Sequence, residues 1–96
     1  MAVGYQVITE DGVLSTSGEP VAVYGVYILS GAGGGGVVNL RTGTAVGGAI
    51  IIQEKGTTSQ GKAFPYGGKG IVFPSGCYVD VDANVTQVTV TFQRLK

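Results

Sequence analysis

Eighteen glycines are scattered through this chain, and they leave no window with sustained helical periodicity. Between the glycines, Val, Ile, Thr and Tyr dominate. These are β-branched and aromatic side chains that suit a pleated, half-buried surface better than a helix. The chain therefore reads as short strands joined by turns. A parallel sheet would need crossover helices, which this sequence does not offer, so the strands should pair antiparallel.

The expected strands are Tyr5 to Thr9, Val13 to Thr16, Val21 to Ser30, Val37 to Thr42 and Ala49 to Lys55, then Lys62 to Tyr66, Ile71 to Phe73, Cys77 to Asp82 and Gln87 to Arg94. Asp11-Gly12 is a hairpin signal between the first two. Pro65 marks the Lys62–Tyr66 segment as an edge strand. Eight or nine short strands in 96 residues imply one domain, residues 1–96, folded as an antiparallel, jelly-roll-like β-sandwich.

Alternation assigns the strand faces. Val88, Val90 and Phe92 oppose Gln87, Thr89, Thr91 and Gln93, and Cys77, Val79 and Val81 oppose Tyr78, Asp80 and Asp82, as in half-buried strands. The Val21–Ser30 segment is apolar on both parities. In a two-layer sandwich its second face has no partner within the chain. Tyr24, Val26 and Ile28 are therefore expected to contact a neighbouring subunit, the competing expectation being cover by a terminal segment or loop.

Several sequence motifs suggest chemistry and lack its context. In "SGAGGGGVVNL", Gly31, Gly33 and Gly36 match the G-x-G-x-x-G spacing of a dinucleotide-binding turn. That site needs a helix after the turn to hold the pyrophosphate, and β-branched residues follow instead. The run reads as a strand-to-strand turn, with Gly33, Gly34 and Gly35 either a mobile tip or a packed subunit contact. "GTTSQGKA" has Ala63 where a phosphate-binding loop needs Ser or Thr, so it reads as a polar hairpin loop. Asp80, Asp82 and Asn84 match the start of a calcium loop, but Val85 and Thr91 occupy its glycine and bidentate-acid positions. They are weak metal candidates, and no cofactor is expected.

Six basic and six acidic residues give no net charge, which excludes the basic surplus of a nucleic-acid binder. The sequence lacks histidine, so the usual proton shuttle is missing, and the lone Cys77 alternates with Val79 and Val81 as a core residue would. Catalysis is not expected. Nor is a disulfide, a secretion signal or a membrane span. With 44% hydrophobic and 12% charged residues, much of the surface should meet other protein.

The stretches "YGVYILSGAGGGGVVNLRTGTAVGG" and "GIVFPSGCYVDVDANVTQVTVTFQ" resemble small β-sandwich virion proteins of tailed bacteriophages, especially the marine, cyanophage type. Those proteins carry a "GV…LS-(Gly/Ala-rich)-V-x-L-x-x-G" hairpin, here Gly25 through Gly43. They end in a "G-x-Y-V…V-T-V-T" hairpin, here Gly76, Tyr78, Val79 and Val88 to Thr91. The resemblance implies a structural protein assembled in a bacterial cytoplasm and resident in the virion. It would act as capsid decoration or cement, or as a tail, neck or fibre accessory. Its implied partners are its own copies, with a trimer favoured, and another virion protein such as the major capsid protein. A carbohydrate-binding sandwich is the alternative, with Tyr24, Tyr66 and Tyr78 stacking on sugars and Asp80 and Asp82 making polar contacts.

Overall fold

The computed structural model describes residues 4–14, 19–45 and 47–95. Its strands are β1 (Gly4–Ile8), β2 (Gly12–Leu14), β3 (Val21–Ser30), β4 (Val37–Thr42), β5 (Ile50–Lys55), β6 (Gly61–Pro65), β7 (Ile71–Phe73), β8 (Cys77–Val81) and β9 (Val85–Arg94). Each expected strand is present within two residues at the ends described. Ser15 and Thr16, expected at the end of the second strand, lie outside the described residues.

Four nested antiparallel pairs organise the chain: β1 with β9, β2 with β8, β3 with β6 and β7, and β4 with β5. They amount to one long double-stranded ribbon whose tip is the β4–β5 turn. The ribbon is rolled up, so that β9 also pairs β3 and β8 also pairs β4. The result is two packed sheets, β1-β9-β3-β6 with β7 also pairing β3, and β2-β8-β4-β5. This is a jelly-roll order, the antiparallel β-sandwich expected from the sequence.

Rolling corrects the expected hairpins. β1 and β2 lie in different sheets, so Asp11-Gly12 turns a corner between layers instead of joining paired strands. The pairing capacity of β1 is used by β9 and that of β2 by β8. The Asp11 carboxylate accepts the backbone N–H of Val81 at 2.8 Å, tying the corner to β8. The β3–β4, β5–β6 and β8–β9 connections also cross between sheets.

The core is what both inner faces bury. Leu14, Phe73, Cys77, Val79, Val88 and Val90 have no exposed surface. Each large apolar side chain removed from water in this way contributes about 1.5–3 kcal/mol.

The two-sided apolar pattern of β3 has a local cause. The register against β9 shifts between Val23, opposite Phe92, and Gly25, opposite Thr91, leaving Tyr24 as an extra, bulged residue. Inward positions therefore change parity within the strand. Val21 and Val23 enter the core before the bulge, and Val26 and Ile28 enter it afterwards. On the opposite edge, β6 and β7 are broken at the same height. Pro65 pairs Gly25, Ile71 pairs Val23, and the Tyr66 N–H donates to the Tyr24 carbonyl at 2.9 Å.

Candidate interaction surface

Cross-strand partners share a face. Because Ile28, Val88 and Ile8 form one inward row, the rows beside it point out. One outward row is Tyr5, Thr91, Gly25 and Pro65; the next is Val7, Thr89, Tyr27 and Ala63. Further rows hold Gln87, Leu29 and Gly61, and Gln93, Ala22 and Val72. Not one Asp, Glu, Lys or Arg stands in these rows. Four of the large exposed apolar residues do: Tyr5 at 72%, Val72 at 51%, Val7 at 47% and Tyr27 at 45%.

Relief across this face comes from side-chain size. A Cβ at Gly61 would collide with the Tyr27 hydroxyl, so the tyrosine lies over bare backbone on β6. Around Gly25 the face sinks into an open depression of about 240 Å³, floored by the glycine and edged by Tyr24, Tyr27, Ala63 and Pro65. The Tyr24 hydroxyl donates to Gln93 at 2.8 Å, holding the bulged residue on this side of the sheet.

The other sheet presents a different outer face. Arg41 Nε donates to Asp80 Oδ2 at 2.8 Å, and its Nη1 donates to the Gly48 carbonyl at 3.1 Å. Asn39 donates to Asp80 at 3.4 Å and accepts from Gln53 at 2.8 Å. This is a hydrogen-bonded polar lattice with Tyr78 opposite Arg41.

Five of the six residues expected at a subunit contact lie off the uncharged face. Val26 and Ile28 are buried in the chain's own core, because the bulge reverses their facing, and they have no surface to offer a neighbour. Tyr24 does lie on the uncharged face. Gly33, Gly34 and Gly35 lie at the crossing between the sheets, where they approach other segments of their own chain. A Cβ at Gly35 would strike the Gly56 carbonyl, one at Gly33 would sit 3.0 Å from Asn84 Oδ1, and Gly34 has a φ of 153°. Hydrogen bonds close the crossing. The Gly31 N–H donates to the Asn84 carbonyl at 2.8 Å, the Gly56 N–H to the Gly36 carbonyl at 2.8 Å, and the Gly36 N–H to the buried Ser30 hydroxyl at 2.9 Å. Three sheet crossings are thus sewn together at one end of the sandwich.

The weak metal candidates do not converge. Asp80 is engaged by Arg41, the Asp82 carboxylate accepts the Asn84 N–H at 2.9 Å, and the Asn84 side chain lies under Gly33 and Gly34. An open concavity of about 460 Å³ brings Glu10, Asp11 and Asp82 to one side, but Asp11 and Asp82 already serve backbone N–H groups. Nor do the tyrosines expected to stack on sugars share a surface. Tyr24 and Tyr78 lie on opposite outer faces, and Tyr66 sits in the β6–β7 break, donating to Glu54 at 2.8 Å. Burial and that carboxylate push the Tyr66 hydroxyl's pKa upward. Burial alone pushes the Cys77 thiol up to about 12, which keeps it protonated and inert as a nucleophile at neutral pH.

Tyr5, Val7, Tyr27 and Val72 escaped the sequence reading as surface residues. A signal was present, since the outward parity of β9 reads Gln, Thr, Thr and Gln, with none of the lysines and glutamates that ordinarily mark a solvated strand face.

Fold and surface together define a jelly-roll module with one uncharged and one polar outer face. No protein-family model matches the chain, and no curated protein matches it significantly. Among solved structures it is similar to a protein of the Bacillus endospore appendages, pili described as a novel disulfide-linked family. That likeness has 12% identity and a TM-score of 0.49, and covers 99% of this chain and 88% of the other.

Proposed function

We propose that this chain is a structural virion protein of a tailed bacteriophage, acting through protein–protein contacts as capsid decoration or cement. The observation that carries the reading is the outer face of the β1-β9-β3-β6 sheet, which is free of charge and exposes Tyr5, Val7, Tyr27 and Val72. A face of this chemistry gains by leaving water and offers no charged group to an ionic ligand. The sequence resemblance to small virion proteins supplies the setting. Individually weak contacts, repeated over a symmetric shell, would hold by avidity.

Peptide counting by mass spectrometry on purified particles of the phage that encodes the chain tests this. Roughly hundreds of copies per particle support a shell position; about six to a few dozen favour the tail, neck or fibre version instead. Particles without the protein overturn the virion reading. The sugar-binding alternative loses its proposed site, because its three tyrosines lie on separate surfaces.

A further inference from the structure

We infer that the uncharged face of the β1-β9-β3-β6 sheet is a self-association surface whose occupant is the same face of a second copy. This rests on the assembly reading above and names its first partner. Three observations select a second copy over an unrelated protein.

The first is charge. A face that meets itself places like against like, so any net charge on it repels. Here the rows contain no ionised side chain, whereas the opposite outer face carries Arg41 and Asp80.

The second is relief. Tyr5 stands 72% exposed on β1, at one side of the face, and the Gly25 depression lies between β3 and β6 at the other, within the same row. Consider a two-fold axis between the two faces, parallel to the strands and midway between β9 and β3. It sets β1 of each copy over β6 of the other, and β9 over β3. Tyr5 of each copy then meets the partner surface at Pro65, on the rim of the depression, and Thr89 meets Tyr27. Tyrosine against proline beside a hollow is the kind of aromatic anchor that interfaces favour. A three-fold ring would require two different patches per copy, so this geometry selects a dimer over the trimer expected from the resemblance.

The third is area. Strands about 4.8 Å apart rising about 3.3 Å per residue, two of them ten residues long and the others five, five and three, give roughly 500 Å² per copy. Two copies bury roughly 1,000 Å², the size of a weak, reversible interface. That size fits a reversible dimer with a dissociation constant of order micromolar.

Sedimentation equilibrium of the full chain over a wide concentration range tests the surface. The expected result is a reversible species of twice 9.7 kDa. A monomer throughout the micromolar range, or a trimer, overturns the inference. Thr89→Lys places two like charges close to the axis and should weaken the dimer at least about 100-fold. Gln53→Lys, on the opposite outer face, should leave it unchanged. An equimolar mixture of Thr89→Lys and Thr89→Glu chains should restore dimers, because the two substituted positions flank the axis on adjacent strands of the two copies. A Thr89→Lys chain that still dimerises fully, or a mixture that does not recover, overturns the assigned face. Tyr5→Ala, at an exposed position that does not hold the fold, should weaken the dimer about tenfold. A wild-type affinity for Tyr5→Ala overturns the proposed register. Failure of the dimer leaves the particle mass spectrometry untouched, so the two readings can fail separately.

Discussion

On the outer face of the β2-β8-β4-β5 sheet, Arg41 is clamped between Asp80 and the Gly48 carbonyl, and Asn39 bridges Asp80 to Gln53. On the outer face of the β1-β9-β3-β6 sheet, the corresponding positions hold Thr89, Thr91, Tyr27 and Gly25, none of them ionisable to a charge at neutral pH. Both sheets turn an equally apolar inner face to the same core. The difference is therefore not a requirement of folding. A polar lattice satisfies its own groups and competes poorly for a partner, whereas an uncharged face with exposed tyrosine and valine lowers its free energy by being covered. Two surfaces equivalent in the architecture thus differ in chemistry, and the proposal above assigns the uncharged one to protein contact.

The sharpest way to break this comparison uses two neighbours on β3. Val26→Asp buries a carboxylate in the core at a cost of several kcal/mol and should abolish cooperative unfolding. Tyr27→Asp, one residue away on the uncharged face, should keep the fold and lose association. Circular dichroism with light scattering reads both, and equal damage from the two would mean that the faces are misassigned.

Gly35→Ala tests whether the glycine crossing holds the two sheets together. Its new Cβ runs into the Gly56 carbonyl, and overpacking of this kind costs about 1–3 kcal/mol. A thermal midpoint lowered by roughly 5–20 °C is expected. An unchanged midpoint would reduce the run to a passive linker.

Alkaline pH probes the shared core. The Cys77 thiol has a folded pKa of about 12 against an ordinary value of 9.0, and Tyr66 is shifted in the same direction. Above pH 9 the unfolded chain releases the thiol proton while the folded chain retains it. Stability is therefore unaffected by Cys77 below pH 9 and falls from there up to about pH 12, by roughly 2 kcal/mol at pH 10.5. Urea midpoints measured from pH 8 to 10.5 should show this decline, and Cys77→Ala should flatten its first part. A wild-type profile that is level to pH 10.5 would contradict the burial of the thiol.

The smallest effect belongs to the polar face. Arg41 and Asp80 remain about one-fifth exposed, and a pair so placed contributes about 1 kcal/mol or less. Arg41→Ala should lower the thermal midpoint by only a few degrees. Salt at 1 M should screen that pair and leave association through the uncharged face undiminished. Dimers that dissociate in salt would assign the contact to the charged face instead.

The strand positions were legible because glycine spacing and β-branched runs act locally, and each residue's preference is set by its own backbone and side chain. The burial of Cys77, Val79, Val88 and Val90 was legible for the same reason, since alternation persists wherever a strand is regular. The expected contact at Val26 and Ile28 failed at a place where regularity breaks. A bulge adds a single residue, Tyr24, and reverses every facing beyond it, and only the register against β9 reveals it. The glycine run likewise kept its meaning as a turn but changed its role. Its bareness serves the close approach of Gly56, Asn84 and Val85, residues about 20 to 50 positions further along the chain.

The sequence by itself determined that this protein is built of antiparallel strands, where those strands lie, and that its cysteine belongs to the core. These follow from preferences exerted residue by residue. Which strands pair, which turns cross between layers, and which outward rows gather into one uncharged face were decided only when the ribbon rolled up. Pairing partners compete for the same backbone hydrogen bonds, and that competition is settled between residues far apart in the chain.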